Sequence, residues 1–187
     1  MQFFSILLKN EFYLLKEHDI FLLQGSNKDN KKKYLEDSLV LISKEIGKVI
    51  KKSSYFESEA WNMSKNTSTF YNRALHIKTL YSPMEILEKI YHIELIFGRK
   101  YKSITDQNDF DEKKKYKDRE IDIDILFYDH LIMHSSVLTI PHPLLHFRRF
   151  ALEPMCEISP RKYHPVFHIT LLEILGLCAD KFKTRRI

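Results

Sequence analysis

The sequence predicts an α+β fold: a ferredoxin-like β-α-β-β-α-β sheet with two helices on one face, followed by a C-terminal extension of short strands and helices. Two segments with helical spacing of apolar residues alternate with strand-like segments in the order that this fold requires. The chain has 187 residues, of which 44% are hydrophobic, so it can bury one ordinary core. We expect residues 19–187 to form a single domain, preceded by an N-terminal extension, residues 1–18, whose role stays open.

The first half of the chain predicts one strand, one helix and then two more strands. Residues 20–24, IFLLQ, predict a short strand that ends at a Gly-Ser-Asn turn. Apolar residues recur every three or four positions from Tyr34 to Ile46, which predicts an amphipathic helix. Residues 48–61 and 69–80 predict a hairpin-like pair of strands on either side of a polar segment.

The second half begins with a helix that has a clear start and a clear end. Ser82 is a suitable N-cap, Pro83 suits the first helical position, and Gly98 ends the apolar stripe. A polar loop over 99–118 follows, and then the alternating residues 121–128, IDIDILFY, predict a strand. The extension is predicted to contain extended structure over 130–140 and short helices over 142–158 and 169–178.

Composition and charge narrow the class of protein. No apolar run approaches the roughly 20 residues that cross a bilayer, and the N-terminal segment, interrupted by Lys9, indicates neither a signal peptide nor an anchor. Two cysteines without C-x-x-C spacing favour a reduced, cytoplasmic protein, although one disulfide stays open. The net charge of +5 is compatible with a nucleic-acid surface or with a site for a phosphate-rich ligand.

A pair of aspartates interrupts the apolar pattern of the strand predicted over 121–128. Side chains two apart on a strand share a face, so Asp122 and Asp124 stand side by side while the isoleucines face a core. One interpretation is the solvated face of an edge strand. The other is a magnesium site, since Mg²⁺ is held by one or two carboxylates together with substrate phosphates. Arg119, three residues before Asp122, could meet such a phosphate.

Two neighbouring segments also contain candidate site residues. Glu94 lies near the end of the second helix, and Arg99 follows Gly98. The alternative interpretation is an ordinary helix end, at which basic residues offset the helix dipole. His142 and His146 are four residues apart, so zinc stays an alternative, but no further ligand stands at metal spacing. Arg148 and Arg149 could form a pair on the surface, and Phe150 could simply belong to the core.

Six short motifs follow one another in a fixed order. They are GSN after the first strand, FYN on the third, and then E-x-x-x-G-R, R-x-x-D-x-D, P-H-P and R-x-F. Together they resemble the 6-hydroxymethyl-7,8-dihydropterin pyrophosphokinase family, over a span from about Phe21 to Leu177. The resemblance implies an ATP-dependent diphosphotransferase of folate biosynthesis, which moves the β,γ-diphosphate of ATP to the hydroxymethyl group of the dihydropterin and releases AMP.

The resemblance also assigns roles to individual residues. It implies that Asp122 and Asp124 hold two Mg²⁺ ions, and that the pterin ring stacks between two aromatic side chains. The pterin site would contain Asn27, Ser58, Phe70, Asn72 and Phe150. The ATP site would contain Glu94, Arg99, Arg119, His142 and Arg148, with Arg99, Arg119 and His142 acting in catalysis.

The chain departs from the family pattern at four positions. Tyr101 stands where many members have a second arginine, Glu120 where they have a small hydroxyl residue, and Leu144 and Phe147 where many have charged residues. The polar loop resembles a lid over ATP. A catalytically inactive scaffold is therefore the alternative to an enzyme. An RNA-binding module is a further rival, which the lack of an RNP-type motif disfavours. We expect a monomer that binds neither nucleic acid nor membrane.

Overall fold

The computed structural model of the protein describes residues 16–61, 67–99 and 118–187. In these ranges the strands are β1 (His18–Ser26), β2 (Lys48–Lys52), β3 (Phe56–Ser58), β4 (Phe70–Thr79), β5 (Asp122–Tyr128), β6 (Met133–His134), β7 (Thr139–Ile140) and β8 (Thr184–Arg186). The α-helices are α1 (Lys31–Glu45), α2 (Pro83–Ile96), α3 (Arg149–Ile158) and α4 (Leu171–Leu177), and a 3-10 helix covers Leu145–Phe147.

One antiparallel sheet forms the centre of the fold. Its strand order is β5-β1-β4-β3-β8, and β2 also pairs with β4. The predicted strands and helices of the first two thirds of the chain are present in their predicted order, with the second strand divided into β2 and β3. β6 and β7 form a separate two-stranded hairpin in the segment predicted as extended.

Helices cover both faces of this sheet because β1 and β5 are apolar on both sides. On one face Ile20 and Leu22 pack with α1 and α2 in a cluster that includes Ile90. On the other face Phe21 and Leu23 pack with α3 and α4. The two predicted helices thus share one face, and the helices of the C-terminal extension cover the opposite one.

Some boundaries differ from the sequence-based ones. The first helix begins at Lys31, three residues before Tyr34, because its first turn is a lysine run without an apolar signal. The strand β8 was not predicted, since its residues are mostly charged; it pairs with β3, and Arg185 lies 2.9 Å from the Glu57 carboxylate. Both Cys156 and Cys178 are free thiols. No helix in the described part of the chain has the length and apolarity to span a membrane.

The predicted start of α2 is confirmed in detail and gives a stability prediction. Ser82 caps the helix through its hydroxyl, which accepts from the Glu85 backbone N–H at 3.4 Å, while the Glu85 carboxylate accepts from the Ser82 N–H at 2.8 Å. We expect Ser82→Ala to lower the free energy of unfolding by about 1 kcal/mol, because the Glu85 N–H loses its acceptor and the Glu85 carboxylate loses the hydroxyl that donates to it at 2.7 Å. Urea denaturation measures the change.

A matched variant exists at the start of α4, where Thr170 and Glu173 form the same capping box. Thr170→Ala should lower the free energy of unfolding by a similar amount. An unchanged urea midpoint for Ser82→Ala would contradict the contribution of the cap.

Candidate active site

The aspartate pair lies on β5, at one edge of the sheet. In the pairing with β1, Asp122 is opposite Gly25 and Asp124 is opposite Leu23. Both carboxylates line a cleft on the α3 side of the sheet, and Ile123 is 5% exposed on the core side. The isoleucines therefore anchor the strand in the core, and the alternation places both carboxylates on the same face of β5.

Three arginines converge on these two carboxylates from separate segments of the chain. Arg99 Nη1 lies 2.8 Å from one oxygen of Asp122, and Arg119 Nη1 lies 2.6 Å from the other. Arg148 Nη1 lies 3.2 Å from Asp124 Oδ2. A cluster of this composition can exchange its internal ion pairs for contacts with phosphate oxygens, to which arginine donors are well matched.

His142 completes the surroundings of the second carboxylate. Its Nε2 is 3.8 Å from Asp124 Oδ2 and 3.3 Å from Arg148 Nη1. Burial, and then the charge of Asp122, raises the pKa of Asp124, although the nearby cations oppose this effect. Burial lowers the pKa of His142 more than Asp124 raises it, which favours a neutral ring. A cation bound beside Asp122 and Asp124 would therefore favour the ionised form of both carboxyl groups.

Arg99 is held in place by the end of α2. Gly98 has a left-handed φ of 89°, which lets the chain leave the helix and turn towards β5. The Glu94 carboxylate, in a residue only 2% exposed, accepts from the Ile123 backbone N–H at 2.9 Å and pairs with Arg99 Nη1 at 2.5 Å. Glu94 therefore joins α2 to β5 and orients the guanidinium of Arg99.

Arg119 is fixed by the turn after β1. The Arg119 backbone N–H donates to Asn27 Oδ1 at 2.7 Å, and the Asn27 backbone N–H donates to the Arg119 carbonyl at 3.2 Å. The Asn27 amide also donates to Asp118 Oδ1 at 2.6 Å. The side chain of Asn27 therefore fixes the backbone that carries Arg119, and its predicted contact with a pterin stays a prediction.

One end of the cleft is aromatic. Phe70 and Phe150 line it together with Trp61, which the sequence analysis missed because no motif surrounds it. The Arg148 guanidinium carbon lies 5.1 Å from the ring centre of Trp61 and 5.7 Å from that of Phe150. Flat rings beside buried polar groups suit the binding of a planar heterocycle.

The polar wall of this end is formed by β1, β3 and β4. Asn72 donates from its amide to Ser58 Oγ at 2.8 Å, and both residues are almost fully buried. A Cβ atom on Gly25 would lie 3.2 Å from Asn72 Oδ1 and 3.7 Å from the Phe70 ring. The glycine therefore keeps the backbone of β1 close to the amide of Asn72.

A second cleft lies on the other side of the aspartate pair. Glu94, Arg99 and His142 line it, and apolar and hydroxyl-bearing residues of α2 and the β6–β7 hairpin complete it. These additional residues are Leu87, Tyr91, Ser135, Ser136, Val137, Leu138 and Thr139. Asp122 and Asp124 belong to both clefts, so two ligands bound in them would meet at the carboxylates.

The sequence model of one protein family matches residues 21–160, a range that contains every residue of both clefts. That family is described as 7,8-dihydro-6-hydroxymethylpterin-pyrophosphokinase. The chain belongs to this family. The resemblance stated from the six motifs is thereby confirmed.

Relatives of this pyrophosphokinase include both short and long proteins. This chain is 34% identical to 2-amino-4-hydroxy-6-hydroxymethyldihydropteridine pyrophosphokinase of Aquifex aeolicus, over 82% of its own length and 88% of the relative's length. It is 32% identical to folic acid synthesis protein FOL1 of Dictyostelium discoideum, over 81% of this chain but 21% of that one. With the bifunctional protein FolKE of Lactococcus lactis it shares 32% identity over 82% of its own length and 42% of the other.

A solved structure supports the fold. The crystal structure of an HPPK-DHPS protein in complex with substrates superposes with a TM-score of 0.65 and 17% identity, over 87% of this chain and 43% of that one. The pyrophosphokinase unit is therefore a fraction of that longer protein, as it is of the longer sequence relatives.

The structure brings most of the predicted site residues of the pyrophosphokinase together. The first cleft contains Ser58, Phe70, Asn72, Arg119, Asp122, Asp124, Arg148 and Phe150, and the second contains Glu94, Arg99 and His142. His146, the other histidine of the zinc alternative, packs instead against the rings of Phe147 and Phe167.

The positions that depart from the family pattern lie around this site. Glu120 is 3.7 Å from the Lys28 ammonium, and the Leu144 backbone N–H donates to His142 Nδ1 at 3.2 Å. Phe147 is 52% exposed. Tyr101 and most of the predicted lid lie outside the described residues.

Proposed function

We propose that this protein transfers the β,γ-diphosphate of ATP to the hydroxymethyl group of 6-hydroxymethyl-7,8-dihydropterin and releases AMP, as a step of folate biosynthesis. One observation carries the proposal: Asp122 and Asp124 are shared by an aromatic cleft and by a second cleft beside His142. The arrangement suits a reaction between two bound substrates, and the pyrophosphokinase family supplies the identity of the substrates.

The aspartate pair fits the two Mg²⁺ ions that the family resemblance implies. Burial and the charge of Asp122 raise the pKa of Asp124, so the doubly ionised pair favours further positive charge. When bound, the metal ions would neutralise charge on the triphosphate and make loss of the substrate hydroxyl proton easier. The two carboxylates would hold them at the junction of the clefts.

The arginines would then bind the phosphates. Arg99 and Arg119 now pair with Asp122, and a metal-bound carboxylate would release their donors to phosphate oxygens. Arg148 is 9% exposed, and among the described residues its Nε has no hydrogen-bond acceptor. Preorganised donors of this kind stabilise the charge that develops during phosphoryl transfer.

The two substrates would occupy different clefts. We place the pterin in the aromatic cleft, stacked on Phe70 and Phe150, with its polar edge at Asn72 and Ser58. We place the nucleoside in the second cleft, where apolar residues of the hairpin lie beside His142. Both placements direct the reacting ends towards the aspartates.

The domain organisation, the fold topology, the compartment and the oligomeric state form part of the same proposal. We propose that residues 19–187 act as one domain with a ferredoxin-like β-α-β-β-α-β unit, which the strand order β5-β1-β4-β3 supports. We also propose a cytoplasmic monomer whose ligands are the two substrates and which binds no nucleic acid.

A single assay tests the function. The purified protein is incubated with ATP, Mg²⁺ and 6-hydroxymethyl-7,8-dihydropterin, and AMP and ADP are quantified. We expect AMP that requires both Mg²⁺ and the pterin. A folded protein that forms no AMP with live substrates would contradict the proposal and support a catalytically inactive scaffold.

A further inference from the structure

A buried arginine lies directly behind the polar wall of the aromatic cleft. Arg73 follows Asn72 on β4, and it is 1% exposed on the face of the sheet that packs against α1. Its cross-strand partner is Gln24, while Gly25 is the partner of Asn72. The side chain of Arg73 is therefore on the opposite face of the sheet from the cleft. Arg73 and its partner Gln24 are each adjacent in sequence to a residue that lines the cleft.

The guanidinium of Arg73 is bound on all sides. Its Nε and Nη2 donate to Gln24 Oε1 at 3.0 and 2.9 Å, and Nη2 also donates to the Leu35 carbonyl at 2.7 Å. Its Nη1 donates to Glu36 Oε1 at 2.7 Å and to the Tyr55 hydroxyl at 3.3 Å. The Tyr55 hydroxyl itself donates to Glu36, which closes the network.

These contacts join the three strands, β1, β3 and β4, that form the wall of the cleft around Asn72. Gln24 is two residues from the end of β1, close to Gly25 and to the turn that holds Arg119. Tyr55 comes directly before β3, which carries Ser58. Arg73 itself is next to Asn72, the hydrogen-bond partner of Ser58.

We propose that Arg73 is a positioning residue for pterin binding, which acts through the backbones of β1, β3 and β4. This inference rests on the proposed function of the cleft. The guanidinium fixes the distance between the Gly25 backbone and the Asn72 amide, where a Cβ would already be 3.2 Å from Asn72 Oδ1. Because directional hydrogen bonds to a planar ligand tolerate little displacement, a small shift of these strands weakens pterin binding.

A purely structural role makes a different prediction. Removing the guanidinium alone leaves a buried acceptor, Gln24 Oε1, without its two donors, and the loss of one partner from a buried polar network lowers stability. If Arg73 only attached α1 to the sheet, its replacement would change the melting temperature and leave the substrate affinities of the folded protein alone.

The test compares Michaelis constants in three variants. Arg73→Met removes the guanidinium and keeps most of the volume, and Tyr55→Phe removes only one hydroxyl from the network. Thr79→Val is the matched control, because Thr79 is buried at the far end of β4 and donates to the Ile46 carbonyl at 2.6 Å. All are assayed below their melting temperatures.

We expect Arg73→Met to raise the KM for the pterin about tenfold while the KM for ATP stays within about twofold of wild type. Tyr55→Phe should raise the pterin KM by a smaller factor and also covers the case in which Arg73→Met does not fold. Thr79→Val should leave both constants unchanged. An unchanged pterin KM, or equal rises in both constants, would overturn the positioning role. A wild-type protein that forms no AMP would instead overturn the proposed function, and this inference with it.

Discussion

We expect the replacement of Asp124 with asparagine to reduce kcat for AMP formation by about a thousandfold or more, because a neutral amide would hold Mg²⁺ poorly and a bound metal contributes several kcal/mol to phosphoryl transfer. Asparagine keeps the shape of the side chain and an oxygen that can accept from Arg148 Nη1. Asp122→Asn is expected to behave alike, since Asp122 lies on the next rung of the same face. Quenched-flow or steady-state assays of AMP measure the loss.

Asp129→Asn is the matched control for this experiment. Asp129 follows β5 at its other end, where its carboxylate accepts from the Asp19 backbone N–H at 2.8 Å and pairs with His18 at 2.7 Å. Its φ of 45° lies in the left-handed region, which asparagine tolerates well. We expect Asp129→Asn to retain turnover. Near-normal turnover by Asp124→Asn, with a native circular dichroism spectrum, would contradict the metal assignment.

The local parts of this structure could be predicted from sequence because each has a periodic signal. The alternation of β5 places the aspartates on one face, and the stripe of α2 with its Ser82 cap places Glu94 and Arg99 at the helix end. These are short-range patterns, and the structure confirms them. The predicted functional roles of the same residues stay predictions until the variants are assayed.

The long-range contacts could not be predicted because they join distant parts of the chain. Asn27 and Arg119 are 92 residues apart, and their mutual hydrogen bonds leave no pattern in either segment. The alternation of β4 places Arg73 on the same face as apolar residues, but no local pattern identifies Gln24 or Glu36 as its partners. Trp61 belongs to no motif, so no local pattern indicated that it lines the cleft.

Removing the ring of Phe150 tests which cleft binds the pterin. We expect Phe150→Ala to raise the KM for the pterin by about 5- to 150-fold, because stacking of a heterocycle on an aromatic ring contributes about 1–3 kcal/mol. The KM for ATP should change far less, since the second cleft lies on the other side of the aspartates. Phe147→Ala is the control, because Phe147 belongs to the neighbouring 3-10 helix and is 52% exposed.

A second substitution separates stacking from simple filling of the cleft. Phe150→Leu keeps apolar volume and removes the flat face, so a stacking role predicts a pterin KM close to that of Phe150→Ala. A volume role predicts a KM close to wild type. Because the Arg148 guanidinium carbon is 5.7 Å from the Phe150 ring, both variants should also loosen Arg148 to a similar extent. If the KM for ATP and the KM for the pterin rise equally in both variants, the role of Phe150 is to support Arg148. The pterin would then have to bind elsewhere in the cleft.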